Sequence, residues 1–287
     1  MEVLGSESME TLTGLIREAV RQQEDADSDL QETRRLLKKA EGRLARAQRG
    51  PLRWFLRSRI PRREQATREA REDHEEAQRR LEAAPVDVDF DLEAEDAARF
   101  ENVSGSFDAL TRAAVVWDAT SRTVVDQRTT RSAASHGVTR QRVTLAVESV
   151  PAIRSRFPAL RFGNANGGDV RLLPAIALIG QPGGPLAVID IRDLSIAFRQ
   201  ATWVEHEAVP SDARVVGETW DKVNKDGTPD RRFKDNRRHP LVAYGELTLT
   251  SPTGLHEVYV VSSVAAAHQF SDAFAAYKNA LPSVRTE

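Results

Sequence analysis

Apolar positions recur at alternating three- and four-residue steps from about Met9 to Arg49, through Leu12, Ile16, Ala19, Gln23, Ala26, Leu30, Thr33, Leu37, Ala40, Leu44 and Ala47. This spacing keeps one stripe of a helix apolar and predicts a coiled-coil seam. At ~1.5 Å of rise per residue the helix is roughly 60 Å long, more than a compact domain can cover, so it needs a second long helix beside it. Gly50-Pro51 breaks the pattern, and Pro61 precedes a second run from Arg62 to Ala84 with Ala66, Ala70, Ala77 and Leu81 on one stripe. Residues 9–84 therefore read as an antiparallel coiled-coil hairpin, after a disordered start at 1–8. The second arm is shorter than the first. Part of the first seam is expected to stay wet, at about 25 cal/mol per Å² of apolar surface, and so to drive self-association.

Beyond Pro85 the period changes. Val86 to Leu92 alternates apolar and acidic residues like a half-buried strand. Phe100, Val103, Phe107, Leu110, Ala114 and Trp117 then recur at helical spacing and predict a helix over Glu93–Val116, followed by a strand over Arg140–Val150. Residues 85–171 form in this reading the strand and helix region that leads into the globular domain. From Leu172 the chain becomes a series of short β-segments: LLPAIALIG, a QPGGP turn, LAVIDI, SIAFRQATWVEHEAV, a turn at Lys225-Asp226-Gly227, HPLVAYGELTLTS, a turn at Pro252 to Gly254, and LHEVYVVSS. Val264, Ala267, Phe270, Phe274, Tyr277 and Leu281 mark a closing amphipathic helix. The expected class is α+β: a helical hairpin, then over 172–281 a small antiparallel β-barrel or sandwich closed by a C-terminal helix, with a tail at 282–287.

Composition narrows the function. Forty-one Lys and Arg stand against 43 Asp and Glu, for a net charge of −2, so any nucleic-acid or membrane role must come from a local patch. No cysteine is present, which excludes disulfides, a thiol nucleophile and thiolate zinc sites. The first residues lack a basic start and an apolar run, and no apolar stretch approaches the roughly 20 residues a membrane helix needs, so a cytoplasmic address is expected.

Two segments carry candidate binding chemistry. The loop VNKDGTPDRRFKDNRR offers Lys225, Arg231, Arg232, Lys234, Arg237 and Arg238 as groups that could grip oxyanions or an acidic partner. The bland alternative is an ion-pair network, with Asp230 holding a neighbouring arginine and Phe233 plugging the core. The hairpin tip RGPLRWFLRSRIPRR interleaves Arg53, Arg57 and Arg59 with Trp54 and Phe55, which suits nucleic acid, an anionic membrane face or a partner's groove; its bland alternative is an apolar cap with solvated arginines. The six histidines suggest no metal set, because strand alternation places the carboxylates of Glu205 and Glu207 opposite His206. Ser132, Ser135 and His136 lack a GxSxG elbow, and GNANGGD and QPGGP match no phosphate-binding loop. No catalytic residue, cofactor or metal is expected.

The order LLPAIALIG, glycine turn, LAVIDIRDLSIAF and a final amphipathic helix resembles the bacterial pleckstrin-homology-like fold. TWDKVNKDGTPDRRFKDNRRHPLVAYGELTLTSPTGLHE is similar to a segment of bacterial proteins that join a coiled-coil hairpin to such a β-domain. The resemblance covers about residues 86–281. It implies a docking unit for lipid, peptide or protein rather than a catalyst. It does not imply phosphoinositide binding, since the QPGGP turn offers no Lys or Arg. The resulting expectation is a non-enzymatic adaptor or scaffold subunit, self-associating through the coiled coil and docking a protein partner with its β-domain, in a bacterial multi-subunit defence or stress system. The alternative is binding of nucleic acid or anionic lipid through the hairpin tip.

Overall fold

A computed structural model of the chain describes residues 6–49, 54, 57–124, 136–181, 184–224 and 226–282. The chain divides into two compact units. The first joins Ser6–Asp89 to Ser149–Arg156, and the second joins Phe90–Glu148 to the chain from Phe157 onward.

In the first unit, helix α1 (Ser6–Arg49) packs on helix α2 (Ile60–Ala83). Pro61 sits in the first turn of α2, where its missing N–H costs no hydrogen bond. Contacts between the arms run in opposite order along the two helices: Arg63 Nη1 donates to the Arg43 carbonyl at 2.8 Å, the Thr33 hydroxyl meets His74 Nδ1 at 3.3 Å, and Arg80 approaches Asp29 at 4.0 Å. The arms are antiparallel. Every seam position from Leu12 to Ala47 is buried or half-buried. The overhanging part of α1 differs from expectation, because Ile16 and Ala19 are only 1% exposed within the single chain. Among the described residues, the large apolar side chains that α1 leaves open are Leu15 in this part and Leu36 farther along. At the base of this unit, β1 (Val86–Asp87) pairs in parallel with β5 (Ile153–Arg154), and the Val86 N–H donates to the Ala152 carbonyl at 3.0 Å. The strand expected over 86–92 thus shrinks to two residues.

The second unit holds helix α3 (Ala94–Thr111), two antiparallel sheets and helix α4 (Val264–Ala280). One sheet has the order β10-β12-β13-β2-β3, from β10 (Ser195–Val204), β12 (Arg238–Thr250), β13 (His256–Val261), β2 (Val116–Val124) and β3 (His136–Val143); β11 (Arg214–Trp220) also pairs with β12. The other has the order β4-β6-β7-β8-β9, from β4 (Leu145–Glu148), β6 (Ala159–Phe162), β7 (Asp169–Leu172), β8 (Ile176–Gly180) and β9 (Ala187–Asp190). These sheets are open; among the described residues no barrel closes.

Three boundaries depart from the sequence pattern, each for a tertiary reason. The helix expected to reach Val116 stops at Thr111, because Val116 and Trp117 pair with Val261 and Val260 of β13. The strand expected over Arg140–Val150 divides at Thr144, with β3 in one sheet and β4 in the other. LLPAIALIG divides at Leu173–Ala175 into the hairpin β7–β8, and the Pro174 carbonyl accepts the Tyr277 hydroxyl at 2.7 Å. In the second unit the strands therefore begin at Val116, well before residue 172.

Aromatic contacts join the layers. Phe107 on α3 stacks edge-on against Phe162 of β6 and Phe270 of α4, and Phe162 lies 5.0 Å from Tyr259 of β13. Gly245 lets α4 approach β12, since a Cβ there would stand 2.4 Å from that of Ala267. Alternation along β12 sends Leu247 and Leu249 to the face that carries α4, and Val242 and Tyr244 to the opposite face. That opposite face holds the site.

Candidate functional site

Val242 and Tyr244 share their face with Trp117 and Val260, and Trp203, Val209 and Ala213 pack around them. Trp203 and Glu205 both follow from the two-residue period at the end of β10. Glu205 is therefore carried onto an apolar, aromatic surface, where an unpaired carboxylate would be expensive. It is 2% exposed and fully engaged. Arg140 donates to its two oxygens at 3.1 and 2.7 Å, the Tyr244 hydroxyl donates at 2.6 Å, and the backbone N–H groups of His206 and Glu207 donate at 3.0 Å each. The Arg140 guanidinium lies 4.2 Å above the Trp117 ring and 5.6 Å from that of Trp203. Burial by itself pushes the Glu205 pKa up, but the hydrogen bonds from Arg140, Tyr244 and Glu207 outweigh it and hold the group at about 2. Burial, then the bond to Glu205, pushes the Tyr244 phenol up. Both groups are locked in one protonation state, which suits a clasp and not a proton shuttle. Arg140 is on β3 and Glu205 follows β10, the two ends of the strand order, so the pair ties the edges of the sheet across its face.

Beside the clasp, β10 ends, β11 ends and β12 begins. The loop between β11 and β12 contains most of the basic residues picked out from sequence. Asp230 is buried and accepts from Arg232 Nε at 2.8 Å and Nη2 at 2.7 Å, while Asn236 binds the Lys222 backbone N–H and carbonyl. Gly227, at φ 82°, makes the turn that Asp226 and Thr228 brace. Arg238 pairs with Glu218. Arg231, Arg232, Lys234, Arg237 and Arg238 are all exposed, and of them Arg232 and Arg238 are engaged by carboxylates, Asp230 and Glu218. Phe233, a core plug in the ion-pair alternative, is 42% exposed, whereas Asp230 is buried. Lys225 lies outside the described residues.

At the hairpin tip Trp54 is 76% exposed and Arg59 is exposed at the end of a short 3₁₀ turn, Arg57–Arg59. Arg53 and Phe55 lie outside the described residues. The tip belongs to the first unit and the basic loop to the second.

Sequence reasoning missed one cluster. His206, Asp221 and His239 converge from the ends of the three strands, with one donor atom from each within 4.8 Å of the others. His239 Nε2 is 2.8 Å from Asp221 Oδ1, and the His206 and His239 rings are 4.3 Å apart, centroid to centroid. β10 ends at Val204, so strand alternation does not extend over residues 205–207, and neither Glu205 nor Glu207 belongs to the cluster. The nearby carboxylate comes instead from the adjoining strand end, through the pairing of Thr219 with His239 and the bond from the Asp221 N–H to the Arg237 carbonyl. The fall of Asp and His at strand ends was the available signal, and it has no meaning until the pairing is known.

Compared with protein-family models, with curated proteins and with solved structures, the chain has no match.

Proposed function

We propose that the protein is a non-enzymatic docking subunit whose β-unit offers the loop between β11 and β12 to an acidic face of a protein partner, within a bacterial multi-subunit defence or stress system. The supporting observation is the division of labour in that loop. Buried Asp230, through its bonds to the exposed Arg232, and half-buried Asn236 fix its shape, and Arg231, Phe233, Lys234 and Arg237 are left exposed on it. A loop already held in shape loses little further freedom on binding, and arginine with an aromatic neighbour is a common anchor pair. The likeness to pleckstrin-homology-like domains belongs to this reading as a likeness of use, a sheet-built head closed by a helix that docks.

The test is affinity purification of the full chain from its own cells. Reversing charge at Arg231, Lys234 and Arg237 is expected to remove a stoichiometric protein partner, with stability changed by no more than about 0.5 kcal/mol because the sites are on the surface. Full retention of that partner overturns the reading. If Trp54→Ala instead removes salt-sensitive binding of DNA or anionic vesicles, the exposed tip is the binding surface.

Assembly of subunits through the helical hairpin is the other half of the proposal, on a smaller footing than an uncovered seam would give. Leu15 and Leu36 are three heptads apart on α1, with Gln22 and Asp29 at the intervening positions. Leu36→Glu is expected to shift any oligomer to monomer in sedimentation velocity; an unchanged oligomer removes the hairpin from the interface.

A further inference from the structure

We propose that His206, Asp221 and His239 form a three-ligand site for a divalent transition-metal ion of the zinc class. The inference is independent of the docking reading. It starts from a nitrogen whose contacts are incomplete. His239 Nε2 is buried and 2.8 Å from Asp221 Oδ1, yet that contact lacks hydrogen-bond alignment and the nitrogen has no other hydrogen-bond partner. A simple histidine–aspartate pair aligns its N–H on the carboxylate. Here the two groups face a common point that His206 also approaches.

The donor chemistry selects the ion. Two imidazoles and one carboxylate suit zinc, iron, cobalt or nickel; calcium and magnesium require mostly oxygen ligands, and without thiolates a soft copper(I) site is disfavoured. Metal bonds of about 2.0–2.2 Å at tetrahedral angles place donors about 3.4 Å apart. The present separations, all within 4.8 Å, reach that value by side-chain rotation, the 2.8 Å between His239 and Asp221 opening slightly and the exposed His206 turning to suit, while the backbones are fixed. The Glu205 N–H donates to the Pro240 carbonyl at 3.0 Å, the Asp221 N–H donates to the Arg237 carbonyl at 2.9 Å, and Thr219 pairs with His239. The adjacent Arg238 is held by Glu218, which reduces its repulsion of a cation. Three protein ligands leave a fourth position for water or a partner's donor atom. The ion would fasten together the ends of β10 and β11 and the start of β12, at the base of the basic loop.

The experiment uses the full chain stripped with a chelator and titrated with zinc chloride by calorimetry. One equivalent is expected to bind, and His206→Ala, Asp221→Asn and His239→Ala are each expected to weaken binding by at least about tenfold, the scale at which even outer-sphere partners matter. His268→Ala serves as control, because His268 sits beside Asp272 at 3.4 Å on α4 with no third donor among the described residues, and it is expected to leave affinity unchanged. Absence of binding by the parent, or parental affinity in the three site variants, overturns the proposal. Should His239→Ala fail to fold, cobalt(II) decides: the intact protein is expected to give the intense visible absorption of a tetrahedral site and His206→Ala to lose it. A spectrum unaltered by His206→Ala refutes the site.

Discussion

Glu205→Gln is expected to destabilise the protein by about 3–5 kcal/mol, the cost of leaving the buried Arg140 charge without its counter-ion. The side chain keeps its shape, so the loss would report charge and not volume. Arg140 is mostly buried between Trp117 and Trp203, with its guanidinium on both Glu205 oxygens. Replacing the pair together, as Arg140→Met with Glu205→Gln, is expected to recover much of the loss, because the two changes together leave no unpaired charge in the core. A loss below about 1 kcal/mol in the single variant would mean that the clasp contributes no more than a surface pair. The same group gives a pH signature. Its carboxylate is held at about 2 in the folded protein against about 4.3 in an unfolded chain. Its contribution is complete above the unfolded value and declines as pH falls from about 4.3 toward about 2. Chemical denaturation of the two proteins across that window is expected to show a smaller acid-induced loss in Glu205→Gln.

Phe107→Ala is expected to cost about 3–5 kcal/mol, in the range for truncating a buried aromatic. Phe107 is completely buried on α3, 5.1 Å from Phe162 and 5.4 Å from Phe270, so it contacts a strand of one sheet and the helix that covers the other. Edge-on ring pairs contribute beyond their area, and both are lost at once. Phe107→Leu keeps most of the volume and is expected to cost under about half as much. Phe233→Ala provides the contrast: at 42% exposed it is expected to stay within about 0.5 kcal/mol of the parent. Equal losses for Phe107→Ala and Phe233→Ala would contradict the core described above.

Local order was legible in the sequence. The seam from Leu12 to Ala47 is recorded in every turn of α1, and the final helix follows from Phe270, Phe274 and Tyr277 with Ser263 capping its start. The β12–β13 turn was legible too, because Gly254, at φ 102°, adopts a conformation that other residues resist. What could not be read was anything decided by a distant partner. Trp117 continues the helical spacing of Phe100, Val103, Phe107 and Leu110, yet β13 draws it into a sheet. Nothing in the run Arg140–Val150 marks Thr144 as the point where the chain changes sheets. The basic loop was visible as a cluster, but only the Asp230–Arg232 and Glu218–Arg238 pairs separate the arginines held by a carboxylate from the rest. The histidine cluster lay beyond local periodicity, because its three donors meet only when β10, β11 and β12 are in register.

The pairing of β1 with β5 has a consequence for how the chain is made. A ribosome delivers both long helices early, but the strand that seals their base, Ile153–Arg154, emerges only after β2, β3 and β4 have been synthesised. The rod's foot is therefore finished late, by a segment borrowed from the middle of the message. A cut at residue 89 would strip Val86 of its Ala152 acceptor and would orphan Ala152 and Ile153 on the other fragment. Surgery that separates the two units has to carry residues 149–156 across with the helices.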